Sequence, residues 1–158
     1  MWALGVAELA QLGPLLAAER EMKASGGPGI LAFELAGSPE RAERMLGKWG
    51  ARGRRAARTS LLLDFPFPAT YALLQCLACT AAAERHRERG RTALAGAGPA
   101  LAWAQLAAAL FDYVENCSLL LVLAGSRGRV PAVARNAALT KFALLFAGWG
   151  YMLASRSG

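Results

Sequence analysis

Asp112, Glu115 and Asn116 are spaced i, i+3 and i+4, which puts three side chains next to one another on one face of a helix. Carboxyls grouped like this can hold a proton, bind a cation, or orient a ligand through hydrogen bonds. Gln105, seven residues before Asp112, continues the same stripe. Asp64, Tyr71 and Gln75 follow at i, i+7 and i+11, again on one helical edge. A third edge is expected from Asn136, Thr140 and Gly148, with Tyr151 close by. The candidate ligand-binding set is therefore Asp64, Tyr71, Gln75, Gln105, Asp112, Glu115 and Asn116. Asp112 and Glu115 would supply charge or a proton, Asp64 would face them, and the others would orient.

These groups fall inside long apolar runs, where an Asp costs roughly 2.5 to 3.5 kcal/mol on insertion scales. Lipid cannot solvate such edges, so they are expected to face one another across a bundle with a polar interior. The same groups would also serve as interhelical hydrogen-bond glue, or, with Asp112 or Glu115 as general acid or base, in an enzyme acting on a lipid. Lys141 is a counter-ion for Asp112 or Glu115 by position. Ten residues into its helix, it is expected rather to snorkel to the interface beside Arg135. Glu34 is the one acid outside the spans with mostly apolar neighbours, and nothing in the pattern says whether it reaches the cavity.

Other motifs carry less chemistry. Cys76 and Cys79 form a C-x-x-C inside an apolar helix with no second pair, and Cys117 is alone, which reads as small apolar filler. The single histidine, His86, falls in an arginine-rich stretch expected to be a loop, so no haem or zinc site is built on it. No metal site and no cofactor is expected. Gly96-Ala-Gly98 and Gly125-Ser-Arg-Gly128 lack the strand a phosphate loop needs. Ser60 and Ser118 have no positioned base.

The elements that must position these residues follow from composition and breakers. The chain has 158 residues, 55% apolar and 18% charged, with a mean hydropathy of +0.29. That fits a single domain and excludes disordered, collagenous and disulfide-stapled classes. The net charge of +7 comes mostly from arginine clusters flanking apolar runs, at Arg52–Arg58, Arg85–Arg91 and Arg127–Arg135. That placement is the pattern of membrane helix ends, and nucleic acid is not expected as a partner.

Four apolar helical segments are expected, at about 2–18, 59–83, 99–124 and 131–154, in one membrane domain covering 1–158. The first is short and holds Glu8, Gln11 and Pro14. Met-Trp-Ala-Leu offers no basic start for a signal peptide, and a late start codon would explain the shortness. Ala24 to Gly29 is a breaker cluster. Ser38-Pro39-Glu40 is a helix start, opening an amphipathic helix at about 39–49 whose apolar face is Ala42, Met45, Leu46 and Trp49. That helix would lie in the membrane interface or dock on its own protein. The expected fold is thus an all-α, integral membrane four-helix bundle with a short interfacial helix between the first two spans.

Lysines and arginines number thirteen on the side of 19–58 and 125–141 against five on the other. The first and third loops, 19–58 and 125–135, are therefore expected in the cytoplasm, in a multi-pass protein of the cell membrane. The expected partners are the bilayer and a small or lipophilic ligand or a cation.

The run Gly29-Ile-Leu-Ala-Phe-Glu34-Leu-Ala-Gly37-Ser38-Pro39-Glu40-Arg41-Ala42 is followed by Trp49, by Ser60-Leu-Leu-Leu-Asp64-Phe-Pro-Phe and by Tyr71. With Phe111-Asp112-Tyr-Val-Glu115-Asn116, it resembles a family of small four-helix bacterial integral membrane proteins with no assigned activity. The resemblance covers Gly29 to about Leu123. It implies the four-helix membrane fold and no particular substrate.

Overall fold

A computed structural model describes the backbone of residues 2–157 and the side chains from Leu12 to Ser157. Glu8 and Gln11 of the first expected segment thus lie outside the described side chains. Among the described residues the chain is all-helical, with α1 (Trp2–Ala24), α2 (Ile30–Glu34), α3 (Pro39–Asp64), α4 (Pro66–Glu88), α5 (Thr92–Leu123) and α6 (Val130–Ala154).

Helix boundaries differ from expectation where side chains or prolines act locally. α1 runs on past residue 18 to Ala24, through a polar turn in which Lys23 pairs with Glu19 at 2.9 Å. Its end is closed by the Ser25 hydroxyl, which donates to the Met22 carbonyl. The Glu19 carboxylate then accepts from the Ile30 N–H and so caps the short α2. Gly29 leaves room for that carboxylate, since a Cβ there would lie 1.8 Å from it and displace it from this position.

The amphipathic helix does not stop at residue 49. Ser38 caps it as expected, accepting from the Arg41 N–H, and Gly50 takes φ +55° and ψ −159° before helix resumes to Asp64. A residue with a Cβ is strained there, so Gly50 makes a kink where a plain stop was expected. The expected span 59–83 is likewise divided. Pro66 has no N–H to bond back into the preceding turn, and α3 and α4 meet at Phe65 with a bend of 42°. The expected long connection at 84–98 shrinks to Arg89–Arg91, and Pro99 lies inside α5 instead of opening it. Gly98 allows this antiparallel pair to close up, because a Cβ there would meet the Ala83 Cβ at 2.3 Å.

α5 and α6 are long and apolar enough to cross a membrane, with mean hydropathies of 1.6 and 1.3 over their best windows. The bent α3–α4 pair makes a third candidate if it counts as one span. Two or three candidate spans are thus present, where four were expected. Outward-facing Trp103, Leu110, Leu121, Phe146 and Leu153 leave α5 and α6 with an apolar circumference, as lipid contact requires.

One end of the molecule gathers α2, the first half of α3 and the ends of its neighbours. Met22, Phe33, Ala42, Leu46 and Trp49 are buried there with Leu119, Val122 and Ala134. Trp49 donates to the Pro28 carbonyl at 2.7 Å and packs edge-on against Phe33. The apolar face of residues 39–49 is therefore taken by the protein itself, and the interfacial-helix expectation gives way to its docked alternative. Arg127 pairs with Glu43 across this end at 2.5 Å. The opposite end is the α4–α5 turn against the C-terminus of α6. Arg91 donates to the carbonyls of Ala154 and Ser157, Arg89 to that of Ser155, and Arg85 to the Ser155 hydroxyl. Cations on a helix C-terminus satisfy both its open carbonyls and its dipole.

Candidate functional site

The acid stripe of α5 meets α6 at Lys141. Its ammonium lies 3.1 Å from Asp112 Oδ1 and 2.6 Å from Glu115 Oε2. Both contacts are ion pairs, and the Asp112 contact also has hydrogen-bond geometry. All three side chains are nearly or wholly buried. Lys141 therefore turns inward instead of snorkelling with Arg135. Two carboxylates at close range offset the desolvation of one ammonium better than the distant interface would. Asp112 uses its other oxygen, Oδ2, to accept from the Tyr71 hydroxyl at 2.9 Å, which ties α4 into the cluster.

Asp64, the last residue of α3, comes alongside. Its Oδ2 accepts from the Asn116 amide at 2.7 Å. The break at Phe65 frees the end of α3 to point its terminal carboxyl at α5. Glu34, at the end of α2, lines the same cavity and lies near enough to Glu115, Lys141, Asp112 and Asp64 to feel their charges. Burial pushes the Glu34 carboxyl above its ordinary range, against the opposing pull of the Lys141 ammonium. The cluster thus holds four carboxyls, Glu34, Asp64, Asp112 and Glu115, around one lysine.

Beside it lies a cavity of about 660 Å³, within the range of small-molecule sites. Asp64, Asp112, Asn116, Lys141, Glu34, Tyr71 and Gln75 contribute polar groups to its wall, and Gln75 Oε1 is buried without a partner among the described residues. The remaining lining is mostly apolar, with Leu12, Leu15 and Leu16 of α1, Leu31 of α2, Leu74 of α4, and Phe142, Leu145 and Trp149 of α6. Leu12, Leu16 and Leu31 are exposed, so the cavity opens beside α1 and α2.

Five of the seven expected site residues, Asp64, Tyr71, Gln75, Asp112 and Asn116, line this cavity. Glu115 lies behind Lys141, fully buried and outside the lining. Gln105 is elsewhere, donating to the carbonyls of Leu101 and Leu144 with its amide seated on Gly148. It ties α5 to α6 and does not touch the acids.

The polar edge expected on α6 is also rearranged. Asn136 is exposed, and Thr140 donates to the Asn136 carbonyl within its own helix. Lys141, Gly148 and Tyr151 form the inward face instead. A threonine that bonds its own i−4 carbonyl needs no partner across the bundle. His86 is not in a loop. It lies in the last turn of α4, fully buried, with its ring 5.0 Å from that of Tyr151. Glu34 and Lys141 join the acids at the cavity although the stripes did not select them, and Glu19 and Ser60 also line it. The signal for Glu34 was an acid among apolar neighbours, and for Lys141 the acids themselves, which demanded a cation.

Among the described residues no three His, Cys, Asp or Glu side chains are grouped to hold a metal ion. No protein-family model, curated protein or solved structure matches this chain.

Proposed function

We propose that this is a multi-pass protein of the cell membrane that binds a lipophilic ligand in the cavity beside the Lys141 cluster. The carrying observation is the pairing of a mostly apolar 660 Å³ space with two wall carboxyls, Asp64 and Glu34, that form no ion pair among the described residues. Lys141 is already shared by Asp112 and Glu115. The acceptors left over suit a ligand whose polar head donates hydrogen bonds, as an ammonium or a hydroxyl does. A bare cation is the weaker reading, because the lysine ammonium fills the position where two carboxylates converge. The interhelical-glue reading accounts for Asp112, Glu115, Lys141 and Tyr71. It leaves open why Asp64 and Glu34 border a large cavity.

The arrangement in the bilayer follows the four-helix expectation: α5, α6 and the bent α3–α4 pair cross, with α1 closing the cavity as a fourth helix. The end carrying 19–58 and 125–135 faces the cytoplasm by the excess of lysine and arginine. Retention in alkali-washed membranes tests the spanning part, and release into the wash would contradict it.

Ligand binding is tested on protein in phosphatidylcholine nanodiscs by thermal unfolding with single-chain amphiphiles of equal length bearing an amine, a hydroxyl or a carboxylate. The amine or the alcohol should raise Tm by several degrees in wild type, and not in Leu74→Trp, where the added indole fills the cavity. No shift with any head group, or an equal shift in both proteins, would overturn the reading.

A further inference from the structure

The two ends of the molecule use arginine differently. At the α6 C-terminus, Arg85, Arg89 and Arg91 are consumed by backbone carbonyls and the Ser155 hydroxyl. At the α5 C-terminus, Arg54, Arg55 and Arg58 of α3 stand over a comparable helix end. There, Arg55 and Arg58 make no hydrogen bond or ion pair among the described residues. Arg54 is fixed by donating to the Leu46 carbonyl within α3. Among the described residues no acid lines the groove between them. It has a volume of about 410 Å³ and is walled by these three arginines with Leu62, Leu120, Leu123 and Ala124.

The groove is graded along its length. α3 and α5 run antiparallel here, since Asp64 bonds to Asn116 in mid-helix while Leu61 packs with Leu119 and Val122 nearer the end of α5. Moving outward, the lining passes from the exposed Leu62 beside Leu120 to the guanidinium groups level with the last turn of α5. α5 is an apolar span, so its end marks the boundary between hydrocarbon and headgroup. Cations at that boundary above lipid-facing leucines match a molecule with an anionic phosphate at one end and an acyl chain at the other.

We propose that the α3–α5 groove is a binding site for an anionic phospholipid, its phosphate on Arg55 and Arg58 and one acyl chain along Leu62 and Leu120. The site is separate from the cavity, and it rests on the assignment of α5 as a span, which alkali washing tests independently.

The test uses full-length protein in non-ionic detergent, titrated with dioleoyl phosphatidylglycerol or dioleoyl phosphatidylcholine, with bound lipid counted by native mass spectrometry. Wild type should hold the phosphatidylglycerol roughly tenfold more tightly, and Arg55→Gln with Arg58→Gln should abolish that preference. Arg41→Gln with Arg44→Gln, elsewhere on the same basic end, should retain it. Leu62→Trp, at an exposed position that tolerates bulk, should weaken binding by blocking the chain. Millimolar inorganic phosphate should not displace the lipid. Equal affinity for the two lipids, a preference that survives loss of Arg55 and Arg58, or displacement by inorganic phosphate would overturn the proposal. The last result would mark a free-anion site.

Discussion

The middle of the bundle and its arginine-capped end both fasten helices with charge, the first buried and the second near the surface, and with opposite surpluses. At the α6 C-terminus each guanidinium finds carbonyl or hydroxyl acceptors, and the helix dipole adds to the attraction. In mid-bundle, Asp112 and Glu115 share the single ammonium of Lys141, while Asp64 and Glu34 stand nearby on the cavity wall. The end is built to be complete, while the middle keeps acceptors in excess on the wall of a cavity. That difference separates a fastening from a candidate site.

The comparison can be broken most forcefully at Lys141. Lys141→Met leaves Asp112 and Glu115 buried without their cation, and should cost about 3–5 kcal/mol of stability at neutral pH. The check is denaturant unfolding in mixed micelles at pH 7.5, with Lys141→Arg, which keeps the cation, expected to lose less than Lys141→Met. Gly148→Ala sharpens the contrast between cluster and glue, because a Cβ there would lie 2.3 Å from Gln105 Nε2. It should destabilise by about 1–3 kcal/mol through overpacking, with ligand-induced Tm shifts intact. Tyr71→Phe removes one hydrogen bond to Asp112 and should lower stability by about 1 kcal/mol in the same assay. Smallest is the end itself: Arg91→Gln, which removes one exposed-side cap, should cost about 0.5 kcal/mol.

A pH test addresses Glu34 alone. Its carboxyl is raised by burial, so its contribution to stability is complete in acid and is lost as pH rises through the raised value. Wild-type Tm should therefore fall as pH rises above the ordinary carboxylate range, and the slope should be shallower in Glu34→Gln. Equal slopes in the two proteins would remove Glu34 from the cluster.

Much of this was legible in the sequence where spacing alone decides neighbours. The i, i+3, i+4 stripe on α5 and the Tyr71–Gln75 spacing on α4 were readable because helical periodicity needs no tertiary information, whereas Asp64 joins them from α3, across a bend that periodicity did not include. What was not legible depended on tertiary choices. Lys141 could have turned to the interface, and only the position of α6 against α5 brings it to the acids. Glu34 reaches the cluster because Glu19 and Gly29 hold α2 in place. The kink at Gly50 and the break at Phe65 were hidden because glycine and proline signal an interruption without telling whether the helix resumes beyond it. His86 shows the reverse error: an arginine-rich stretch reads as a solvated loop, yet the backbone stays helical, buries the imidazole and turns Arg85 to the Ser155 hydroxyl.

The most direct measurement is the double isosteric variant Asp64→Asn with Glu34→Gln, compared with wild type for Tm and for the Tm shift induced by the long-chain amine. If these carboxyls are kept for a ligand, the variant should be as stable as wild type or more so, and the amine-induced shift should vanish. A variant that loses stability while retaining the full shift would contradict the account and make these acids part of the fastening.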